Sequence, residues 1–334
     1  MPTIALAGVA HIHVPGFISI LKNRTDTTVK SVWDAHSPKA QKRADELGAT
    51  VVSKLSEIVN DPEIDGVIVA SETSLHEQLV VPLAQSGKHL FVEKPLGLGA
   101  ADAQRMADAI STAGVKFQTG YVSRSVPAHI KLKSLVDAGF FGKISRVRAS
   151  VCHSGALAGW FDRKPNEPES DWSWMADPKQ AGVGAFGDLG AHGLDLLMWL
   201  FGPITKVAAS ISLGTGRYPG CDETGEALLV FESGTIGTLA AGWVDRANPV
   251  SLEISGSNAH ASIVNDQLSI KRSDGKMSID EALPPWRSHS LNLILDALAG
   301  QPVELVTAEE AARRSEVMEA IYRASKCEGW VKIG

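Results

Sequence analysis

Cysteine is scarce in this sequence of 334 residues, which has three examples, at Cys152, Cys221 and Cys327. They lie far apart and form no Cys-x-x-Cys pair, which excludes a disulfide framework and gives no indication of a zinc or other metal site. A chain of this size with so few cysteines fits a reducing compartment, and we expect a cytoplasmic protein.

Blocks of one charge and long apolar runs are missing as well. The sequence has 32 basic and 38 acidic side chains, a formal net charge of −6, and no long block of Lys and Arg. A surface that binds nucleic-acid phosphates depends on such blocks, so we expect no nucleic-acid partner. No apolar run approaches the ~18 residues of a membrane helix, and the first residues lack the features of a signal peptide, so we expect no membrane partner.

The composition that is present belongs to a globular protein, with 44% hydrophobic and 21% charged residues. At roughly 100–200 residues per domain, the length predicts two domains, each large enough to bury a core. We place the boundary after residue 124, so that a domain over residues 1–124 precedes one over residues 125–334.

Short apolar runs alternate with helix-like segments as far as about Gly120. Such alternation is typical of a parallel sheet with helices on its faces, and it predicts an α/β domain, a doubly wound Rossmann fold of six strands. The predicted strands are Ile4–Ala7, Val29–Trp33, Val51–Val52, Gly66–Ala70, Leu90–Val92 and Lys116–Gln118.

The pattern changes beyond about Pro127, where one helix over residues 128–138 is followed by strand-like segments with few helices between them. This order favours an α+β domain with a large, mostly antiparallel sheet. The predicted strands are Ser145–Val151, Lys206–Leu213, Gly225–Phe231, Thr235–Val244, Ser251–Ser255 and Gln267–Lys271. A polar segment, Ser154–Gly184, is long enough to predict a functional loop.

The turn after the first strand, Gly8-Val-Ala10-His11-Ile12-His13, stands where a dinucleotide-binding domain carries three glycines. Of these three positions, only residue 8 is a glycine in this sequence. Ala10 leaves room for a cofactor, whereas His13 is bulky at the third position. We expect the turn to contact a pyrophosphate, with His11 and His13 on the pyrophosphate or nicotinamide side; the alternative is that both are partly exposed loop histidines.

Asp34 ends the second predicted strand. An acidic side chain there can accept hydrogen bonds from the ribose hydroxyls of adenosine and repel a 2′-phosphate, which favours NAD over NADP. The alternative is that Asp34 only caps the next helix.

Two further groups of residues indicate catalysis. Glu93-Lys94-Pro95 ends the fifth predicted strand, at the sheet edge where open α/β sheets bind ligands, so that Lys94 can reach a substrate oxygen. Farther along, Asp188, His192 and Asp195 follow a glycine-rich stretch at positions i, i+4 and i+7 of a predicted helix, and therefore share one stripe. A buried ion pair or a helix cap is the alternative for that stripe.

Several motifs occur together in an order that spans nearly the full length: Gly8 with Asp34; Asp65-Gly-Val-Ile-Val-Ala70 leading to His76; Gly87-Lys-His-Leu-Phe-Val-Glu93-Lys94-Pro95; Gly120-Tyr121 with Arg124; Asp188-x-Gly-x-His192-x-x-Asp195; and Val306-Thr-Ala-Glu-Glu with Ala320-Ile-Tyr-Arg-Ala-Ser-Lys. Together they resemble the Gfo/Idh/MocA family of oxidoreductases. Ser71-Glu72 and the glycine-poor first turn depart from the family's pattern.

The resemblance implies a Rossmann domain, a sheet domain that mediates homodimers or homotetramers, and NAD(P)-dependent chemistry on sugars, cyclitols or their acids. On this basis we assign cofactor binding to Gly8, Ala10, His11, Ile12, His13, Asp34, Ser71, His76, Glu93, Lys94 and Tyr121. Glu93 could instead only brace its turn. Substrate binding is assigned to Arg124, Trp172, Trp174, Asp188 and His192, because tryptophan faces suit sugar C–H groups. Tryptophans also anchor long loops, and Arg124 could be a surface residue.

Oxidation of an alcohol needs a base, positive charge near the developing alkoxide and an oriented nicotinamide. We assign His192 as the base, because an imidazole pKa near ~6.5 suits proton exchange at neutral pH. Asp188 would orient that imidazole or bind a substrate hydroxyl, and Lys94 would polarise the reacting oxygen. Lys94 is the alternative base. The assignment requires Lys94 and His192 to converge on C4 of the nicotinamide.

The sequence therefore predicts an NAD-dependent dehydrogenase or reductase that acts on a sugar-like CH–OH group. Two other functions stay open. One is a glycoside-cleaving enzyme that retains its NAD, and the other is a non-catalytic dinucleotide-binding regulator.

Overall fold

The computed structural model describes residues 1–167, 170–247, 250–265, 267–275, 277–279 and 283–334. By its internal contacts, the chain divides into two units. The first comprises Met1–Gly120, Trp160–Gly182 and Ser288–Ser315, and the second comprises Tyr121–Gly159, Val183–Arg287 and Glu316–Gly334. A domain boundary after residue 124 stays a prediction. Two residues of the predicted polar loop, Pro168 and Glu169, lie outside the described ranges.

The first unit contains a six-stranded sheet in which every strand pair is parallel. Its strand order is β3-β2-β1-β4-β5-β6, as in a doubly wound fold, so the predicted Rossmann architecture is confirmed. The central strands are buried on both faces, which explains their near-continuous apolar sequences. The strands are β1 (Thr3–Ala7), β2 (Thr28–Trp33), β3 (Thr50–Val51), β4 (Gly66–Val69), β5 (His89–Val92) and β6 (Phe117–Thr119).

Ten α-helices are found among the described residues. They are α1 (Val14–Lys22), α2 (Ser37–Leu47), α3 (Leu55–Val59), α4 (His76–Gln85), α5 (Ala100–Ala113), α6 (Pro127–Asp137), α7 (Pro178–Ala181), α8 (Ala185–Phe201), α9 (Ser290–Leu298) and α10 (Ala308–Cys327). None of the described helices combines the length and apolarity needed to cross a membrane.

The core of the first unit includes residues from late in the chain. Leu291, Ile294 and Leu295 of α9 are buried in one apolar cluster with Phe17 of α1 and Phe91 of β5. Helix α9 contacts β5 and β6 directly. The core of the first unit is therefore completed by a segment that the sequence pattern assigns to the second domain.

The second unit contains a nine-stranded sheet in the order β14-β13-β12-β11-β7-β10-β9-β8-β15. Among the described strand pairs, β7 and β10 run parallel and the others antiparallel, so the predicted mostly antiparallel sheet is confirmed. The strands are β7 (Ile144–Cys152), β8 (Ile204–Ser212), β9 (Thr224–Phe231), β10 (Ile236–Gly242), β11 (Val250–Gly256), β12 (Ala259–Val264), β13 (Gln267–Arg272), β14 (Met277–Ile279) and β15 (Val331–Lys332).

Helix α8 lies on this sheet against β7 and β10. Fifteen of its 17 residues are buried, its polar members included. A helix covered on all sides presents its side chains only to neighbouring protein or to a ligand. Asp188, His192 and Asp195 lie on α8, as predicted.

Candidate active site

The turn between β1 and α1 depends on one glycine. Gly8 has a φ of +83°, and a Cβ at this position would collide with Ser71. Its N–H donates to the carbonyl of Trp33 over 2.8 Å, and its carbonyl accepts from the N–H of Ala70 over 3.3 Å. These contacts fix the start of the turn between β2 and β4, and they exclude any side chain at residue 8.

Asp34 holds the same turn from the end of β2. Its Oδ2 accepts from the N–H of Val9 over 2.7 Å, and its Oδ1 accepts from the N–H of His36 over 2.7 Å. The second bond is made to the N-cap residue of α2, His36, and not to the first turn of the helix, so Asp34 does not itself cap α2. A carboxylate can accept about four hydrogen bonds, so both oxygens keep capacity for ribose hydroxyls.

The N–H groups of Ala10 and Ile12 lie in the segment that is predicted to contact the pyrophosphate. No acceptor within hydrogen-bond distance of either is found in the described part of the chain, and α1 begins at Val14. Backbone N–H groups at a helix N-terminus form a binding site for phosphate. With the strand order and Gly8, this arrangement fits a dinucleotide, although His13 stands at the third glycine position.

His11 and His13 extend from this turn and contact each other. Their ring centroids lie 4.6 Å apart in an edge-on arrangement, and the N–H of His13 donates to Nδ1 of His11 over 3.2 Å. Trp174 covers His11 with a centroid distance of 5.8 Å, and its indole N–H donates to the carbonyl of Ala10 over 3.1 Å. Trp174, a candidate for binding substrate or nicotinamide, thus lies beside the turn, and its binding role stays a prediction.

Glu93 connects the end of β5 to the turn. Its Oε1 lies 3.0 Å from Nδ1 of His13, and its Oε2 accepts from the N–H of Lys94 over 2.9 Å. Burial alone would raise the pKa of Glu93, but the charges of His11 and His13 and the bond from His13 hold that pKa well below its usual range. A Cβ on Gly120 would lie 2.7 Å from Oε2, so Gly120 leaves room for this ionised carboxylate.

Three other predicted residues surround the carboxyl ends of β4 and β5. Lys94 is 3% exposed and precedes Pro95 through a cis peptide bond. Nδ1 of buried His76 donates to the carbonyl of Leu96 over 3.0 Å, and burial lowers the pKa of His76. The hydroxyl of Ser71 donates to the carbonyl of Glu72 over 3.1 Å.

The second unit holds the acid–base candidates on α8. Oδ2 of Asp188 accepts from the indole N–H of Trp243 over 3.0 Å, and both Asp188 and His192 are 9% exposed. Asp195 is fully buried and accepts two hydrogen bonds from Arg124, of 2.9 Å and 2.6 Å. Asp195 thus follows the ion-pair alternative, and the substrate role of Arg124 stays a prediction.

Two residues that the sequence analysis did not select hold the start of α8. The hydroxyl of Tyr322 donates to Oδ2 of Asp222 over 2.8 Å and accepts from the N–H groups of Gly184 and Gly187 over 3.1 Å and 3.0 Å. Oδ1 of Asp222 accepts from the N–H of Phe186 over 2.7 Å. Burial raises the pKa of Asp222, and burial together with the charge of Asp222 raises that of Tyr322 well above its usual range. Tyr322 therefore stays protonated, and its hydroxyl donates a hydrogen bond to Asp222.

The remaining predicted residues are Tyr121 and Trp172. Tyr121 is 3% exposed and comes just before a short 3₁₀ turn, Val122–Ser125. Trp172 is half-buried, with the ammonium of Lys164 5.5 Å from its ring centroid. Their binding roles, and the convergence of Lys94 with His192, stay predictions.

Comparisons with known proteins agree with this architecture. The model of the "Oxidoreductase family, NAD-binding Rossmann fold" matches residues 3–121, and that of the "GFO/IDH/MocA C-terminal domain" matches residues 129–262. Together the two matches cover about three quarters of the chain. The chain belongs to the Gfo/Idh/MocA family. The resemblance seen in the motifs is therefore confirmed, and so is the NAD-binding Rossmann domain.

Curated members of the Gfo/Idh/MocA family match part of the chain. The myo-inositol 2-dehydrogenase of Thermotoga maritima is 28% identical over 71% of this chain and 66% of its own length. The scyllo-inositol 2-dehydrogenase (NAD(+)) of Bacillus subtilis is 30% identical over 67% and 61%. The levoglucosan dehydrogenase of Pseudarthrobacter phenanthrenivorans is 30% identical over 46% and 37%. These matches span about two fifths to two thirds of the relatives' lengths.

Solved structures of Gfo/Idh/MocA type share the fold. A putative NADPH-dependent oxidoreductase from Desulfitobacterium hafniense has a TM-score of 0.86 and 20% identity, over 100% of this chain and 98% of its own. A levoglucosan dehydrogenase in complex with NADH has a TM-score of 0.81 and 20% identity, over 100% and 99%.

Proposed function

We propose that this protein is an NAD-dependent oxidoreductase that transfers hydride between the nicotinamide and a hydroxyl or carbonyl group of a sugar, cyclitol or sugar acid. One observation carries the proposal: buried Lys94 follows β5 at the ligand-binding edge of a parallel sheet. Its neighbour Glu93 contacts the cofactor turn through His13. This arrangement supports a role for Lys94 as a cation beside the bound dinucleotide.

The substrate class rests on what the relatives act on. Inositols, levoglucosan and 1,5-anhydro-D-fructose appear in the names of the matching enzymes. These compounds share a ring that carries several hydroxyl groups. We extend that class, and no individual member of it, to this chain.

When bound, NAD supplies the hydride acceptor. The ammonium of Lys94 stabilises negative charge on the reacting oxygen. Electrostatic stabilisation of this kind is usually the largest single contribution to the rate of an enzymatic reaction. The imidazole of His192 takes the hydroxyl proton. Asp188, whose Oδ2 is held by Trp243, orients that imidazole or binds a neighbouring hydroxyl.

We also propose that the protein acts in the cytoplasm as a homodimer or homotetramer. Partly exposed apolar side chains on the second sheet or next to it support self-association: Leu228 is 36% exposed, Ile236 49% and Trp330, just before β15, 49%. Light scattering on the purified protein tests the oligomeric state, and a monomer at micromolar concentration would contradict it.

Absorbance of the reduced nicotinamide tests the activity, with NAD and NADP offered separately against aldoses, cyclitols, sugar lactones and sugar acids. We expect turnover with NAD on at least one compound. Lys94→Ala should lower kcat by about 100-fold or more, whereas Lys22→Ala, at the exposed end of α1, should match the wild type. Wild-type turnover in a folded Lys94→Ala protein would overturn the assignment. Release of an aglycone without net NADH would instead indicate the glycoside-cleaving alternative.

A further inference from the structure

Two imidazoles and one carboxylate meet at the cofactor turn. His11, His13 and Glu93 each offer a ligand atom, and these three atoms all lie within 4.8 Å of one another. His11 is 3% exposed and Glu93 is 1% exposed, while the side chain of His13 is 39% exposed. The cluster therefore has a buried base and one side that solvent can reach.

The backbone that carries these side chains is held in place. The N–H of His11 donates to the carbonyl of Ala70, and the N–H of Glu93 donates to the carbonyl of Val69, each over 2.9 Å. Trp174 covers His11, and Phe17 contacts His13 with ring centroids 6.3 Å apart. These contacts fix the backbone positions of the three residues, so side-chain rotation is the adjustment that brings the ligand atoms together.

The spacing suits one ion. Ligands bound at about 2.1 Å to the same metal lie about 3.0–3.4 Å from each other. Nδ1 of His13 and Oε1 of Glu93 are 3.0 Å apart, so this pair already has the separation that a shared ion requires. The third ligand atom needs a shift of about 1–1.5 Å, which rotation of the His11 ring can supply.

An ion pair between His13 and Glu93 alone explains fewer features of this cluster than a metal site does. It needs one imidazole, whereas a second, buried imidazole lies against the first. It also gives no reason for His13 at a position where glycine is usual, because the His13 side chain makes no cap hydrogen bond to α1. Two imidazoles and a carboxylate are one of the ligand sets of zinc sites that keep a coordination position open.

We propose that His11, His13 and Glu93 bind one divalent transition-metal ion of the zinc class, with the remaining coordination position open beside His13. This site goes beyond the proposed hydride transfer, and its occupancy is measured without any substrate. The ion would lie in the turn that the family uses for a dinucleotide.

The test uses Co²⁺, whose visible absorption reports its ligands, as the probe for chelator-treated full-length protein. We expect one equivalent to bind with the intense bands of low coordination, and Zn²⁺ to displace it. His13→Gly, which restores the usual glycine, should weaken binding by at least about 100-fold, since even indirect partners of a metal contribute 10–100-fold. Circular dichroism would establish that this variant is folded.

His11→Ala and Glu93→Gln should weaken Co²⁺ binding to a similar extent. His36→Ala, at an exposed histidine before α2, should bind Co²⁺ as the wild type does. The proposal is overturned if the wild type shows no stoichiometric absorption change, if folded His13→Gly keeps wild-type affinity, or if His36→Ala weakens binding as much as His13→Gly. X-ray absorption of the Zn²⁺-loaded wild type should show two imidazoles, and their absence would also overturn it.

Discussion

The turn from Gly8 to His13 and the start of α8 are both places where glycine leads the chain into a helix, yet they use it in opposite ways. The turn has one glycine, and the imidazole of His13 stands at a position where the family pattern has a glycine. The start of α8 has glycines at positions 182, 184, 187, 190 and 193. In the turn, the side chains of His11 and His13 contact each other, and that of His13 contacts Glu93. In α8, the glycines have no side chain, which lets the helix approach β7 and β10 closely. Asp188 and His192 are therefore held close to the sheet.

The structural reason for glycine accordingly differs from one position to the next. Gly8 is required by its positive φ and by Ser71. Gly187 is required because a Cβ there would collide with Cβ of Val183, whereas a Cβ at Gly190 would meet no atom closer than 3.4 Å. A count of glycines in a motif therefore says less than the contact that each one permits.

Gly8→Ala should have the largest effect on stability. Left-handed backbone costs a residue with a Cβ about 1–2 kcal/mol, and overpacking against Ser71 adds about 1–3 kcal/mol. We expect urea denaturation to show a loss of about 2–5 kcal/mol in the free energy of unfolding. A loss below about 0.5 kcal/mol would mean that the turn does not need its single glycine.

Gly187→Ala and Gly190→Ala form a matched pair within α8. Both gain the same helix propensity, about 1 kcal/mol, so the difference between them reports the collision with Val183. We expect Gly187→Ala to be less stable than Gly190→Ala by about 1–3 kcal/mol, measured by denaturation of the two proteins side by side. Equal stabilities would show that α8 tolerates a Cβ at residue 187 beside the side chain of Val183.

Tyr322→Phe tests whether side chains, rather than glycines, satisfy the start of α8. The variant removes the hydroxyl that serves Asp222, Gly184 and Gly187. Leaving such buried groups unpaired should lower the free energy of unfolding by about 1–2 kcal/mol. Amide hydrogen exchange should also become faster at Gly187; unchanged exchange there would contradict the capping role.

Gly16→Ala should give the smallest effect, with the opposite sign. Gly16 is an exposed residue of α1, and a Cβ there would have no neighbour within 4 Å. Replacement by alanine should raise the free energy of unfolding by about 0.5–1 kcal/mol. A destabilised Gly16→Ala protein would show that the glycine is used there for a contact that the isolated chain does not contain.

The sequence predicted the fold well because its signals are local. The six strands of the first sheet are short apolar runs, and α8 ends within one residue of the predicted Leu200, at Phe201. Strand β12 was missed, because its inward residues include Ala259 and Ala261, whose small side chains give a weak alternating pattern.

The sites were less predictable because they join residues that are far apart in the chain. His13 and Glu93 are 80 positions apart, and Gly187 and Tyr322 are 135 apart. Each motif could be recognised by itself, but the contact between them follows from sheet order and helix docking. The same holds for Asp34, whose position was predicted but whose bond to the N–H of Val9 was not.

The route of the chain through the first unit has a consequence for synthesis on the ribosome. Leu291, Ile294 and Leu295 help to fill a core whose other buried residues lie within the first hundred positions. A nascent chain that has passed only residue 124 would still expose apolar surface that α9 covers in the finished protein. We therefore expect the excised fragment 1–124 to aggregate, and the Rossmann half to become protease-resistant only after α9 has been synthesised.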